Sequence, residues 1–235
     1  MNRTARKKTV VSIAVLMCLI LIFISGCTRS GDSDNSGNKP PQQVKPPSQA
    51  PSQELTGLLP EKEGFRWIYN GFAEYGHTME LKSIVRDESA VRYEIEGEVA
   101  DMSGGEAEGD FSLRVEYEVK DRSLIMRKDS EKMMDNFSEL ELIRLPLEKG
   151  TQWEQKARHK NGREYQLTCT IQEVEDDPEG KIYTVIYKDK DSNFYEKRRI
   201  QEKWGVISFE TVWESKEGPV IIGYDLYKEA SGYRK

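Results

Sequence analysis

Two stretches of the chain alternate apolar and charged residues, and this period of two limits the fold more than any other feature of the sequence. Residues 91–99 read VRYEIEGEV, and residues 111–119 read FSLRVEYEV. The apolar positions of the first stretch are Val91, Tyr93, Ile95 and Val99. A period of two predicts β-strands with one dry and one solvated face. Parallel sheets are dry on both faces, so we expect antiparallel strands joined by a glycine-rich turn at residues 103–110.

A nine-residue phrase with the form L-P-x-x-x-G-x-x-W occurs twice, as LPEKEGFRW at residues 59–67 and as LPLEKGTQW at residues 145–153. At a spacing of 86 residues, six positions are identical in the two copies. They are Leu59, Pro60, Gly64, Trp67, Gly76 and Leu81 in the first copy, and Leu145, Pro146, Gly150, Trp153, Gly162 and Leu167 in the second. We interpret the repeat as a duplicated β-meander in which proline marks a strand start, glycine a turn and tryptophan the core. A coincidence of common turn chemistry is the alternative.

The fold class predicted from these patterns is mainly β. We expect an antiparallel curved sheet, or an open barrel-like domain, built from two duplicated meanders over residues 55–138 and 139–235. The whole β-rich domain, residues 55–235, is long enough to bury a substantial core. Little helix is expected: only residues 129–140, DSEKMMDNFSEL, are predicted to hold one or two helical turns, with Ser130 as the cap.

The N-terminal residues carry a targeting pattern. Four basic residues among the first eight precede an apolar run from Val10 to Ile24. This run is shorter than the roughly 20 apolar residues of a spanning helix, so residues 1–26 are predicted to be a cleaved signal peptide, with an uncleaved anchor as the alternative. Ile24-Ser25-Gly26-Cys27 resembles the bacterial lipobox. The resemblance implies cleavage after Gly26 and lipidation of the Cys27 sulfur, with acyl chains such as palmitate; two chains give stable anchoring.

Residues 27–54 follow as a segment rich in proline, serine and glycine. It holds too few apolar side chains to form a core, so we expect a disordered tether. The lipobox resemblance therefore implies a domain attached by lipid to the extracytoplasmic face of the cell membrane. Residues 1–26 carry four of the 35 basic residues and none of the 41 acidic ones, so the remainder has a net charge of about −10. This charge argues against nucleic acid as a partner.

The sequence offers few residues for catalysis. His77 and His159 lie near predicted hairpin turns and are interpreted as solvated loop residues. Cys169 shares the predicted dry face of its strand with Leu167 and Ile171, and it is interpreted as a buried core residue. The acidic segments at residues 175–180 and 189–196 are interpreted as hairpin turns. We therefore expect no catalytic residue, no metal site and no cofactor.

The repeated phrase and the meanders resemble those of uncharacterised β-rich bacterial envelope lipoproteins, and more distantly the curved-sheet lipoprotein carriers of the LolA type. The favoured function is a non-catalytic binding or scaffold domain whose partner is an envelope protein or a lipid ligand. The alternative is a carrier of lipids or lipoproteins with an apolar cavity, and an envelope hydrolase comes third. A filled interior favours the binding domain, whereas a large apolar cavity favours the carrier.

Overall fold

The computed structural model of the protein describes residues 50–103, 105–129 and 132–234. Within these ranges the chain forms one antiparallel sheet of 13 strands. The strands are β1 (Phe65–Gly71), β2 (Gly76–Arg86), β3 (Ala90–Val99), β4 (Ser112–Lys120), β5 (Ser123–Asp129), β6 (Glu139–Arg144), β7 (Gln152–Arg158), β8 (Glu164–Glu175), β9 (Ile182–Asp189), β10 (Tyr195–Gln201), β11 (Gly205–Ser215), β12 (Gly218–Leu226) and β13 (Gly232–Tyr233). Helix in the described ranges is limited to α1 (Gln53–Thr56) and two short 3₁₀ turns, Phe72–Glu74 and Lys228–Ala230.

The sheet consists of two six-stranded meanders. Strands β1 to β6 pair in chain order, as do β7 to β12, and the meanders join where β1 pairs with β12. The remaining end strands, β6 and β7, approach each other across the opposite side of the molecule and are linked by side chains. The sheet is therefore a nearly closed barrel, which confirms the predicted fold class.

Because neighbouring strands are antiparallel, the connections lie at two ends of the barrel. The helix end holds α1 and the loops that follow even-numbered strands, and the loop end holds the loops that follow odd-numbered strands. Backbone hydrogen bonds fix α1 to the β10–β11 loop: the Lys203 N–H donates to the Gly57 carbonyl and the Gly205 N–H donates to the Leu58 carbonyl, at 2.9 and 2.7 Å. Leu55 and Leu58 are fully buried there, so the first described turn of the chain covers one end of the core.

The residues predicted to be dry fill the interior of the barrel. Val91, Tyr93 and Ile95 of β3 are buried, and the alternate residues of β4 pack beside them. Trp67 and Trp153 are also buried, as predicted from the repeat. The glycines that precede them have left-handed backbone angles, with φ of 81° at Gly64 and 92° at Gly150, which suit glycine because it lacks a Cβ.

Strand pairing supports the duplication. Trp67 lies opposite Met79 in the first meander, and Trp153 lies opposite Cys169 in the second. Each meander then has a register shift two residues further along the second strand, after Leu81 in β2 and after Ile171 in β8.

The constant spacing of 86 residues was wrong beyond the first strand of each copy. The pairing makes Leu81 equivalent to Ile171, which is 90 residues later, and not to Leu167. The difference arises because the β7–β8 hairpin is longer than the β1–β2 hairpin. Gly76 accordingly begins β2, whereas Gly162 lies in the hairpin turn, so these two glycines are not equivalent.

Two predictions about the middle of the chain were also wrong. Asp129 ends β5, the described residues 132–136 are irregular, and Phe137 forms an isolated bridge with His159, so no helix occupies these positions. Tertiary contacts to Asp135 override the local helical preference. In addition, β6 pairs with β5, so the meanders divide after Arg144 and not between residues 138 and 139.

Candidate functional site

The boundary between β6 (Glu139–Arg144) and β7 (Gln152–Arg158), here named the seam, is where the barrel wall is incomplete. In the part of the chain that the structure describes, β6 pairs only with β5, and β7 pairs only with β8. Each strand therefore has one edge whose backbone groups are not joined to another strand. Unpaired edges of this kind can pair with another chain, and proteins usually protect them.

One side chain bridges the middle of the seam. The Gln155 side-chain amide accepts a hydrogen bond from the Glu141 backbone N–H and donates one to the Glu141 carbonyl, both at 2.9 Å. A carboxamide has the same donor and acceptor groups as a peptide unit. The side chain of Gln155 thus occupies the place that the backbone of a neighbouring strand would take.

Other contacts hold the seam near its ends. The Tyr187 hydroxyl, on the interior face of β9, donates to the Leu142 carbonyl at 2.6 Å. At the loop end, the Lys160 N–H donates to the Asn136 carbonyl at 2.9 Å, next to the Phe137–His159 bridge. At the helix end, the loop of residues 145–151 connects the two strands covalently. The opening is therefore a slit bounded at both ends.

A cleft of about 460 Å³ lies along this slit, lined mainly by β6 and β7. Its β6 side carries Glu139 and Glu141, and its β7 side carries Lys156 and Arg158. The Lys156 ammonium also lies 3.2 Å from the Glu164 carboxylate, in an exposed ion pair. The β6 wall thus carries two carboxylates, which pair with Arg127 at 3.2 Å and with Arg144 at 2.6 Å, and the β7 wall carries two cationic side chains. The backbone edges lie between the walls.

A buried group of four charged residues anchors the segment at the loop end of the seam. Asp135 pairs with Lys128 and, at 3.1 Å, with Arg198, which in turn pairs with Glu196 at 2.7 Å. Burial acts to raise the pKa of Asp135, but the nearby charges of Lys128 and Arg198 hold that pKa below its ordinary value. Glu196 also accepts a hydrogen bond from the Asn136 N–H at 3.0 Å. Residues 135 and 136 are thereby fixed to the barrel interior.

Cys169 lies behind Gln155 in the barrel interior. Its sulfur accepts a hydrogen bond of 3.2 Å from the Gln155 side-chain nitrogen, and the residue is fully buried. Burial raises the pKa of the Cys169 thiol to about 12, so the reactive thiolate is scarce at neutral pH. The interpretation of Cys169 as a core residue is confirmed.

The interpretation of His77 as a solvated loop residue was wrong. His77 lies in β2, is only 2% exposed and stacks on Tyr69 with ring centroids 4.4 Å apart. Burial lowers its pKa to about 4, and neither ring nitrogen has a hydrogen-bond partner among the described residues. The error arose because Gly76 was taken for a turn. His159 does lie at the β7–β8 hairpin, where it is half-buried.

Gln155 was missed by the reasoning from sequence, although a signal was present. It lies two residues after Trp153 and two before Ala157, both of which are buried, so it is a polar residue at an inward position. Such a residue needs a hydrogen-bond partner.

Cys27 and Gly26, the predicted lipidation and cleavage positions, lie outside the described residues.

Two further features are absent over the same residues. Among residues 50–103, 105–129 and 132–234, no group of three or more histidine, cysteine, aspartate or glutamate side chains is placed to hold a metal ion. In those ranges, helices long and apolar enough to cross a membrane are also absent.

Comparison with known proteins gives structural similarity alone. No protein-family model matches the chain, and no curated protein matches it. A crystal structure of a presumed lipoprotein from Parabacteroides distasonis is 15% identical with a TM-score of 0.39, covering 71% of this chain and 94% of that one. A presumed exported protein with a YmcC-like fold from Bacteroides fragilis is 10% identical with a TM-score of 0.42, covering 72% of this chain and 96% of that one.

Proposed function

We propose that the protein is a lipid-anchored extracytoplasmic lipoprotein whose β-barrel binds a segment of a partner protein at the seam and catalyses no reaction. The observation that carries the binding proposal is the incomplete barrel wall between β6 and β7. At each of the remaining boundaries between neighbouring strands of the wall, the backbones pair directly. At the seam, backbone edges meet a cleft of about 460 Å³ that is open to a ligand.

The interior of the barrel weighs against the carrier alternative. A carrier needs an apolar space that can accept an acyl chain. Here the centre is occupied by packed aromatic side chains and by the buried pairs of Arg198 with Asp135 and Glu196. An acyl chain entering this space would have to displace buried charges from their partners, which is costly.

The position of α1 is consistent with a tethered domain. The chain enters the barrel at the helix end, where the leucines that follow α1 are buried. The slit of the seam runs along the barrel wall from that end to the loop end. A partner of the same membrane or of the neighbouring envelope could reach it.

The anchor is tested by replacing its lipidated residue. Cys27→Ala is expected to give a protein that is either unprocessed or released from the membrane fraction, because the acylated sulfur is lost. Mass measurement of the mature N-terminus and cell fractionation provide the result. An unmodified N-terminus in the wild-type protein would contradict the lipoprotein assignment.

The binding site is tested in cells with a photo-reactive amino acid. Placed at Lys156, in the cleft wall, it should form a discrete crosslink to an envelope protein. The matched control is Lys82, which is exposed on β2, several strands away in the sheet. Equal crosslinking from both positions, or none from Lys156, would contradict the seam as the binding site.

A further inference from the structure

The free edge of β7 presents backbone groups in the pattern of a strand that lacks a neighbour. The His159 N–H donates to the Arg163 carbonyl, and the Ile171 N–H donates to the Thr151 carbonyl. Because donors and acceptors alternate along an antiparallel strand, the odd-numbered residues of β7 bond to β8. The backbone groups of residues 152, 154, 156 and 158 therefore face the seam. The Lys160 N–H, which bonds to Asn136 across the seam, continues the same alternation.

The opposite edge already accepts a peptide-like group. Gln155 satisfies both backbone groups of Glu141 with one carboxamide, at 2.9 Å for each hydrogen bond. A residue of an antiparallel strand would satisfy the same two groups with its own N–H and carbonyl. The Gln155 carboxamide is therefore an internal substitute for a peptide unit. The class of ligand that fits this edge is extended polypeptide backbone.

We infer that an extended segment of the partner pairs with the free edge of β7 and displaces the Gln155 side chain from Glu141. The inference rests on the proposed function and specifies how the seam binds. For the backbone groups of Glu141 the exchange is nearly neutral, because one set of hydrogen bonds replaces another, whereas the displaced Gln155 carboxamide must find other partners. The favourable contribution comes from the groups of β7 that gain a strand partner. Adjacent strands lie about 4.8 Å apart, so the middle of β6 must move outward to admit the segment, and the hydrogen bond from Tyr187 to Leu142 must break.

The charged side chains of the seam restrict which segments can bind. Lys156 and Arg158 flank the free edge of β7, while Glu139 and Glu141 flank that of β6. Charged residues on an edge strand discourage indiscriminate pairing between copies. If β6 itself closed on β7, its acidic residues would lie near these basic ones. A segment that copies β6 is therefore a suitable probe for the free edge of β7.

The experiment uses a fluorescent synthetic peptide of residues 138–145, SELELIRL, added to the full-length protein. We expect saturable binding, with new protection of the Lys156 and Arg158 backbone amides from hydrogen exchange. Gln155→Leu should bind the peptide about tenfold more tightly, because the competing internal hydrogen bonds are absent. Gln172→Leu, the same exchange at an exposed position of β8 outside the free edge, should leave the affinity unchanged. If the leucine variant fails to fold, Gln155→Met, which also lacks the carboxamide, takes its place in the experiment.

A second peptide separates the two proposals. It carries N-methyl groups at alternate residues, which removes backbone donors and leaves the side chains intact. Binding of this peptide as tight as that of the parent would overturn strand addition while leaving the seam as the binding site. Failure of the parent peptide to bind the Gln155→Leu protein at millimolar concentration would also overturn strand addition. Loss of the Lys156 crosslink in cells, by contrast, bears on the proposed function itself.

Discussion

The two meanders share their strand pairing but differ in the residues that they place in the barrel interior. Ile95 pairs with Val115 in the first meander, and its equivalent Val185 pairs with Arg198 in the second. By the same register, Leu113 is equivalent to Glu196. The first meander thus has an apolar pair where the second has a buried ion pair.

At a second pair of equivalent positions, the polar residue lies in the first meander and the apolar one in the second. His77 of β2 is equivalent to Leu167 of β8, because they pair with Val99 and Asp189 at matching positions. Here the first meander holds the polar residue. The comparison shows that the two meanders can keep the same backbone pairing while the side chains at equivalent interior positions have different roles. Arg198 and Glu196 fix the segment beside the seam, whereas the His77 ring makes no hydrogen bond within the described residues.

The largest expected effect comes from breaking the charged pair of the second meander. Arg198→Met should reduce the free energy of unfolding by about 3–5 kcal/mol, because it leaves buried carboxylates without a partner. The equivalent change in the first meander, Val115→Ala, removes only apolar contacts and should cost about 2 kcal/mol. Urea unfolding of both variants provides the comparison. A cost for Arg198→Met no greater than that for Val115→Ala would show that the ion pair does not anchor the interior.

The next effect concerns pH and His77. Its pKa falls from 6.5 to about 4 on folding, so the unfolded state binds more protons between these values. Stability should therefore decrease as the pH is lowered through this window. His77→Leu makes the position match Leu167 and should remove about 3 kcal/mol of the loss between pH 7 and pH 4. Unfolding curves at several pH values test this. If the free energy of unfolding changed equally with pH in the variant and in the wild type, the attribution of this pH dependence to His77 would be contradicted.

The smallest effect compares the two equivalent tryptophans. The Trp67 indole N–H donates to the Trp204 carbonyl at 2.7 Å, whereas the Trp153 N–H has no partner among the described residues. Trp67→Phe should therefore cost about 1 kcal/mol more than Trp153→Phe, since only the former loses a hydrogen bond. Thermal unfolding of the two variants measures the difference. A larger cost at Trp153 would reverse the comparison.

The sequence predicted the features that depend on local pattern. Alternation identified β3 and β4 because burial on one face repeats every second residue, and the glycine before each tryptophan identified a turn. Residues 129–140 were misassigned because the partners of Asp135 include Arg198, which is distant in the chain. The seam was missed for a similar reason: whether β6 and β7 pair depends on how the whole barrel closes. The inward position of Gln155 is the one local sign of that opening.

The pairing of β1 with β12 has a consequence for the order of folding. Each meander pairs only strands that are neighbours in the chain, so its contacts can form as the polypeptide emerges. The junction between the meanders joins Tyr69 to Leu226, near the two ends of the domain. Contacts between such distant residues form slowly. Until residues 218–226 are available, the edge of β1 that β12 will cover stays exposed, and a nascent chain in that state can aggregate through it.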